Sequence, residues 1–197
     1  RPAPPPKPTA LPSASASAAA TPPDPETIRE ILGRLRGAYE KKDWRNAAEE
    51  TLALLKADPR ALRDASASGA VSEMLVTLAK EKHERADEVW ETVALAEGGP
   101  DLVYRYVESH GKAAWAQRAA ALLGDEAVRK NAPEAVTIAF DMRQAPCDKK
   151  LALLDRAVEI GDQRAELVID VVVRGCVKDE GPIDDALKAM RDKRKKK

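Results

Sequence analysis

Apolar residues recur along this chain at three- and four-residue intervals, the spacing of one face of a helix. Asp24-Pro25 supplies a helix cap followed by a proline at the first helical position. Ile28, Ile31, Leu32 and Leu35 then mark a stripe that Ala38 and Tyr39 extend. After a turn at Lys42-Asp43, a second stripe runs through Ala47, Ala48, Thr51, Leu52 and Leu55 and ends at Asp58-Pro59, completing a helical hairpin. Val71, Met74, Leu75 and Leu78 mark the next helix. Ala86, Val89, Trp90 and Val93 mark another, stopped by Gly98-Gly99-Pro100. Leu102, Val103, Tyr106 and Val107 carry a helix to Gly111, and Ala116, Ala119, Ala120 and Leu123 carry one to Gly124. Short helices are predicted over 125–131 and 133–143, the second opened by Pro133.

Towards the C-terminus, Leu151, Leu154, Ala157 and Val158 lead to Gly161, placed as a helix C-terminal cap. Leu167, Val168, Val171 and Val172 lead to Gly175. The run LVIDVVV is rich enough in β-branched residues to be a strand, but its spacing and the lack of a partner strand favour a helix. A last helix, opened by Pro182, buries Ile183, Ala186, Leu187 and Met190 and frays into RDKRKKK. Eight to ten helices joined by short turns predict an all-α protein. The expected architecture is an irregular α-solenoid of stacked hairpins, tetratricopeptide- or HEAT-like, over residues 24–190.

Composition sharpens the ends of this picture. Residues 1–23 are Pro, Ala and Ser with no buriable pattern, so a disordered, semi-extended linker is expected. In the polyproline limit it would reach on the order of 70 Å. A docking role read through Pro4-Pro5-Pro6 is the other reading. Aromatic residues make up only 4% of the 197, so the core must be built from Ala, Leu and Val. Charged residues reach 34% with zero formal net charge, which argues against a general polyanion binder. Nucleic acid is expected as a partner only through the tail 191–197, where five more basic residues follow Arg191; a solvated end is the simpler reading. No apolar run approaches the roughly 20 residues that span a bilayer. A first residue Arg1 in place of Met is what a fragment or a processed product would show.

The two cysteines, Cys147 and Cys176, flank one predicted hairpin. Helices of nearly equal length over about 148–160 and 162–175, joined at Gly161-Asp162, should pack antiparallel. That would bring both cysteines to the same open end, within reach of a disulfide. Two unrelated thiols in a reducing compartment is the alternative. A disulfide would point to a periplasmic or other extracytoplasmic location, free thiols to the cytoplasm. A zinc site is not expected, because His83 and His110 lack the paired spacing of structural zinc. Nor is a catalytic thiol, since no histidine is placed beside either cysteine.

Two resemblances stand on particular residues. LRGAYEKKDWRNAAEETLALLKADP, Leu35 to Pro59, resembles a tetratricopeptide repeat: Leu35, Gly37, Ala38, Tyr39, Trp44, Ala47 and Asp58-Pro59 occupy its packing positions. The turn is one residue short and the glycine one place late. Pro100 to Ala165, with Cys176 beyond, is similar to C-terminal helical regions of certain myxobacterial serine/threonine protein kinases. The shared features are Pro146-Cys147, the Leu153-Leu154-Asp155-Arg156-Ala157 helix, Gly161-Asp162-Gln163-Arg164-Ala165 and the later cysteine. That resemblance implies a kinase-like parent whose Pro-rich linker corresponds to residues 1–23. The chain itself has no Gly-rich phosphate loop, no His-Arg-Asp loop and no Asp-Phe-Gly.

The remaining candidates read as structural. His83 in EKHER is expected at the surface, and His110 beside free helix-end carbonyls. Trp44, Trp90 and Trp115 are expected as core anchors. The carboxylates of DEV, GDEAV and IDDAL sit in first helical turns, where they suit the helix dipole. Tyr104 falls off the stripe of Leu102, Val103 and Tyr106, which makes it the aromatic expected to be exposed for binding. The expected function is a non-catalytic helical-repeat domain that binds a protein or peptide, with no cofactor, metal or small-molecule substrate. A ligand-free spacer, and a surface binder working through the basic tail, are the alternatives.

Overall fold

The computed structural model describes residues 24–110 and 113–196, apart from the side chain of His110; the expected linker with Pro4-Pro5-Pro6, and Gly111, lie outside them. Among the described residues every regular element is helical. Helix α1 spans Pro25–Glu40, α2 Trp44–Ala57, α3 Ala65–Lys80 and α4 Ala86–Leu95. Helix α5 spans Gly99–His110, α6 Ala114–Gly124, α7 Glu126–Asn131 and α8 Glu134–Gln144. The last four are α9 (Cys147–Lys150), α10 (Leu154–Ile160), α11 (Gln163–Val168) and α12 (Gly181–Lys195).

Local chemistry sets the starts of these helices. Asp24, Asp43, Asp64 and Asp125 each turn a carboxylate back onto free backbone N–H groups, at 3.2, 3.2, 2.9 and 2.8 Å for Glu26, Asn46, Ala67 and Ala127. The predicted stripes then become the core. Ile31 and Leu35 of α1 pack on α2, and Val71, Met74, Leu75 and Leu78 line α3. In α2 the buried leucines are Leu54 and Leu55, while Leu52 is half-buried. Buried Thr51 donates its hydroxyl to the Ala47 carbonyl at 2.9 Å, so its polar atom is satisfied inside its own helix.

Gly98-Gly99-Pro100, expected as a stop, also starts α5. Gly98 takes a left-handed φ of 83°, and a Cβ on Gly99 would lie 1.7 Å from the Val93 carbonyl oxygen. Glycine therefore lets α4 turn into α5 with almost no connection. The result is a central helix, because α5 packs against α4, α6, α7 and α8.

Candidate interaction surface

The segment from Cys147 to Cys176 holds most of the residues singled out in the sequence. It begins with α9, passes through a 3₁₀ turn at Leu151–Leu153 into α10, and reverses at Gly161-Asp162. The returning arm is α11, one π turn at Ile169–Val173 and a 3₁₀ turn at Arg174–Cys176. Its open end brings the Cys147 and Cys176 sulfurs to 2.07 Å with Cα atoms 5.2 Å apart, which is disulfide distance. The strand reading of LVIDVVV gives way to helix, as its spacing favoured.

One detail of the hairpin differs from expectation. Its arms pack mainly on α8 and α12 rather than face to face: α11 lies on α8, and α10 on both α12 and α8. Gly161 is the C-terminal cap of α10 as expected, its N–H donating to the Ala157 carbonyl at 2.8 Å, and it caps in an extended conformation with φ −71° and ψ 162°. Glycine is needed there for space, since a Cβ would lie 2.3 Å from the Ala157 carbonyl oxygen and 2.8 Å from the Ala165 Cβ.

Charged groups fasten the hairpin to its surroundings. Lys150, only 3% exposed, donates its amine to the Met142 carbonyl at 2.5 Å and the Arg143 carbonyl at 3.1 Å, closing the end of α8. Burial, with the Arg143 charge added, holds that amine below the ordinary lysine value. Arg164 donates to Asp162 and to Asp101 of α5. Burial opposes its charge, but those carboxylates outweigh burial and raise its pKa. Burial likewise opposes the Asp162 carboxylate, and the Arg164 bonds outweigh it and hold Asp162 below its ordinary value. Arg174 gathers Asp170, Glu180 and Asp184, tying the end of the returning arm to the start of α12.

The basic tail is mostly helical. Helix α12 continues to Lys195, because Lys193 donates to the Val158 carbonyl at 3.4 Å and to that of Glu159, capping α10. Arg194 pairs with Glu166 at 3.1 Å. A helix expected to fray after Met190 is thus held by the carbonyls and carboxylate it meets.

One face of this region is left open. Leu167 is 46% exposed and Val171 65%, one helical turn apart on the returning arm. Beside them an open cleft of about 380 Å³ lies where α5, α11 and α12 converge, with Glu108, Arg164, Asp170 and Arg191 in its walls. Leu167 and Val171 were expected in the buried stripe. The stripe that is buried runs instead through Ala165, Val168, Ile169 and Val173.

Tyr104 is the clearest correction. It is 0% exposed, not a surface contact, because neighbours cover α5 on several sides. Its hydroxyl is buried without a hydrogen bond of normal geometry, and burial raises its pKa against the nearby Arg143 charge. Trp90 is fully buried, and its indole N–H donates to the Leu75 carbonyl at 3.2 Å. Trp44 and Trp115 are only half-buried: Trp44 meets Tyr39 edge-on at 5.5 Å, and the Lys80 amine lies 5.5 Å above the Trp115 ring. His83 is half-buried, its Nδ1 accepting from the Arg85 backbone N–H at 3.2 Å.

Among the described residues no group of three or more His, Cys, Asp or Glu side chains is placed to hold a metal ion. No helix among them is long and apolar enough to cross a membrane. No protein-family model, no curated protein and no solved structure matches this chain.

Proposed function

We propose that this chain is a non-catalytic helical interaction domain that engages a protein partner through the open face of α11. The observation that carries this reading is the pair Leu167 and Val171, exposed side by side next to a cleft on a hairpin whose other contacts are fastened. Apolar side chains grouped at the rim of a cleft are the usual mark of a protein-binding patch. The helical stack is read as an irregular succession of hairpins, which suits the direct packing of α1 on α2 and of α5 on α6. The kinase-like parent implied by the resemblance of Pro100 to Cys176 remains part of this proposal. So does an extracytoplasmic location, supported by two cysteines at bonding distance. The tail has fewer free cations for nucleic acid, since Lys193 and Arg194 are engaged within the fold.

The experiment is a comparative capture with the full chain and a Leu167→Asp/Val171→Asp variant, both side chains being exposed enough to change without unfolding the protein. Partners retained by the wild type and lost by the variant support the reading. Equal capture by both, or capture of nothing by the wild type, overturns it, and the second outcome leaves the spacer reading standing.

A further inference from the structure

A second groove lies at the other end of the chain. Helix α1 packs closely on α2 and only lightly on α3, which leaves an open channel of about 650 Å³ between α1 and the start of α3. Its floor is apolar: Ile28 and Leu32 of α1 are half-buried, and Ala61 and Ala67 are buried beneath them. Its rim carries three guanidinium groups from two separate elements, Arg29 and Arg36 on α1 and Arg60 after α2.

The charges on that rim are incompletely answered. Arg29 is exposed and forms no ion pair among the described residues. Arg36 donates to Ser66, a neutral hydroxyl. Arg60 reaches Glu97 at 3.7 Å, but Glu97 also binds Arg63, so one carboxylate serves two arginines. The two aspartates at the groove are occupied by the backbone. Asp58 accepts from the Arg60 N–H at 2.9 Å, and Asp64 accepts from Ser66 and Ala67 at the start of α3, where the helix dipole offsets its charge. An apolar channel bordered by spare guanidinium groups is complementary to carboxylates flanking an apolar side chain.

The helical register adds a spacing. Arg29 and Arg36 are seven residues apart on one helix, a rise of roughly 10 Å. An extended peptide covers that distance in about three residues. We propose that the groove between α1 and α3 docks an extended acidic peptide segment. Two carboxylates three residues apart sit on Arg29 and Arg36, a further acidic residue meets Arg60, and an apolar side chain between them seats on Ile28 and Leu32. Residues 1–23 do not fit this description, since they carry Arg1 and Lys7 and no carboxylate. The groove is built on different helices from the α11 face, so the two proposals stand or fall separately.

Fluorescence anisotropy with a dye-labelled peptide carrying Glu at positions one and four and Leu between them tests this on the full chain. Tight salt-sensitive binding is expected, weakened about tenfold in an Arg29→Glu/Arg36→Glu variant, the scale of two partly exposed ion pairs. The matching peptide with Lys in place of Glu should bind the reversed variant and not the wild type. That exchange also shows that the variant is folded. No binding of the acidic peptide to the wild type overturns the proposal, as does equal binding of both peptides or binding unaffected by charge reversal. Loss of affinity when the two Glu residues are moved next to each other supports the spacing, and unchanged affinity overturns it.

Discussion

Helices α1 to α4 and the hairpin from Cys147 to Cys176 achieve order by different means. The first four helices run 16, 14, 16 and 10 residues and bury large side chains, among them Leu35, Leu54, Met74, Leu78 and Trp90. Three of them start on an aspartate cap. In the hairpin the longest regular stretch is the 7 residues of α10, with a 3₁₀ turn before it, and the 6 residues of α11 run into a π turn. Beside Leu154 and Ile169 its buried apolar residues are small, Ala157, Ala165, Val168 and Val173. Short helices are marginal without outside support. The hairpin receives that support from particular atoms: the cysteine pair, the buried Lys150 amine, and the carboxylates around Arg164 and Arg174. One region is held by area, the other by tethers.

That contrast should show first in the core. Trp90 fills a fully buried site, meets the Tyr106 ring edge-on at 5.1 Å and satisfies its N–H on Leu75. Trp90→Ala should lower stability by about 3–5 kcal/mol in urea unfolding. The loss should be the same with and without a thiol reductant, because no tether is involved. The hairpin should behave in the opposite way. The cysteines are separated by 29 residues, and closing such a loop stabilises by roughly 3–4 kcal/mol in the chain-entropy model. Replacing both by serine should remove that amount under oxidising conditions and make the protein indifferent to reductant. Hydrogen exchange sharpens the point: reduction should speed amide exchange across 147–176 and leave α1 to α4 protected. A wild type unmoved by reductant would break the comparison.

Most of the area-held region was legible in the sequence, and the tethered one only in outline. The stripes of α1, α3, α4 and α12 were readable because polar residues separate the apolar positions and leave one choice of face. In 165–173 seven of nine residues are apolar. Two helical stripes then fit equally well, and the larger side chains pointed to the wrong one. What decides is tertiary: α8 and α12 cover Ala165, Val168, Ile169 and Val173 and leave Leu167 and Val171 outside. Tyr104 failed for a related reason. A stripe argument assumes one buried face, whereas α5 has neighbours on several, and nothing local to Tyr104 records them. The cysteine pairing was accessible because it depends on arm lengths and one turn. The arginine clusters were not, since Asp101 and Arg164 meet across 63 positions. The groove at α1 had no sequence signal beyond scattered arginines.

Lys150 tests a single tether. Lys150→Met removes the donor to two carbonyls at the end of α8 and should cost about 1–3 kcal/mol, the scale of leaving buried acceptors unpaired. Because its folded pKa lies below the unfolded value near 10.4, the unfolded chain binds the extra proton between the two. Stability of the wild type relative to Lys150→Met should therefore rise as pH climbs through that window. Asp162 gives the acid counterpart. Its lowered folded pKa contributes stability present above about 3.9 and lost as pH falls through the folded value. Urea midpoints for both proteins across pH would separate the two effects.

The smallest effect has the opposite sign and lies in the region held by area. Gly33 and Gly37 sit inside α1, and a Cβ added at either would meet nothing within 4 Å. Neither takes a left-handed φ, so alanine fits the backbone without strain. In a helix interior glycine is worse than alanine because its unfolded chain has more conformations to lose. Gly33→Ala and Gly37→Ala should each raise stability by about 0.5–1 kcal/mol and together roughly add. The methyl added at Gly33 would border the groove on α1 without touching its floor, so acidic-peptide binding should persist in Gly33→Ala. A gain in stability with binding kept would mean that α1 is held by packing that a better helix former simply reinforces. A loss of stability would mean that α1 depends on a close approach at these two positions, and the contrast between area and tether would no longer divide the molecule at α4.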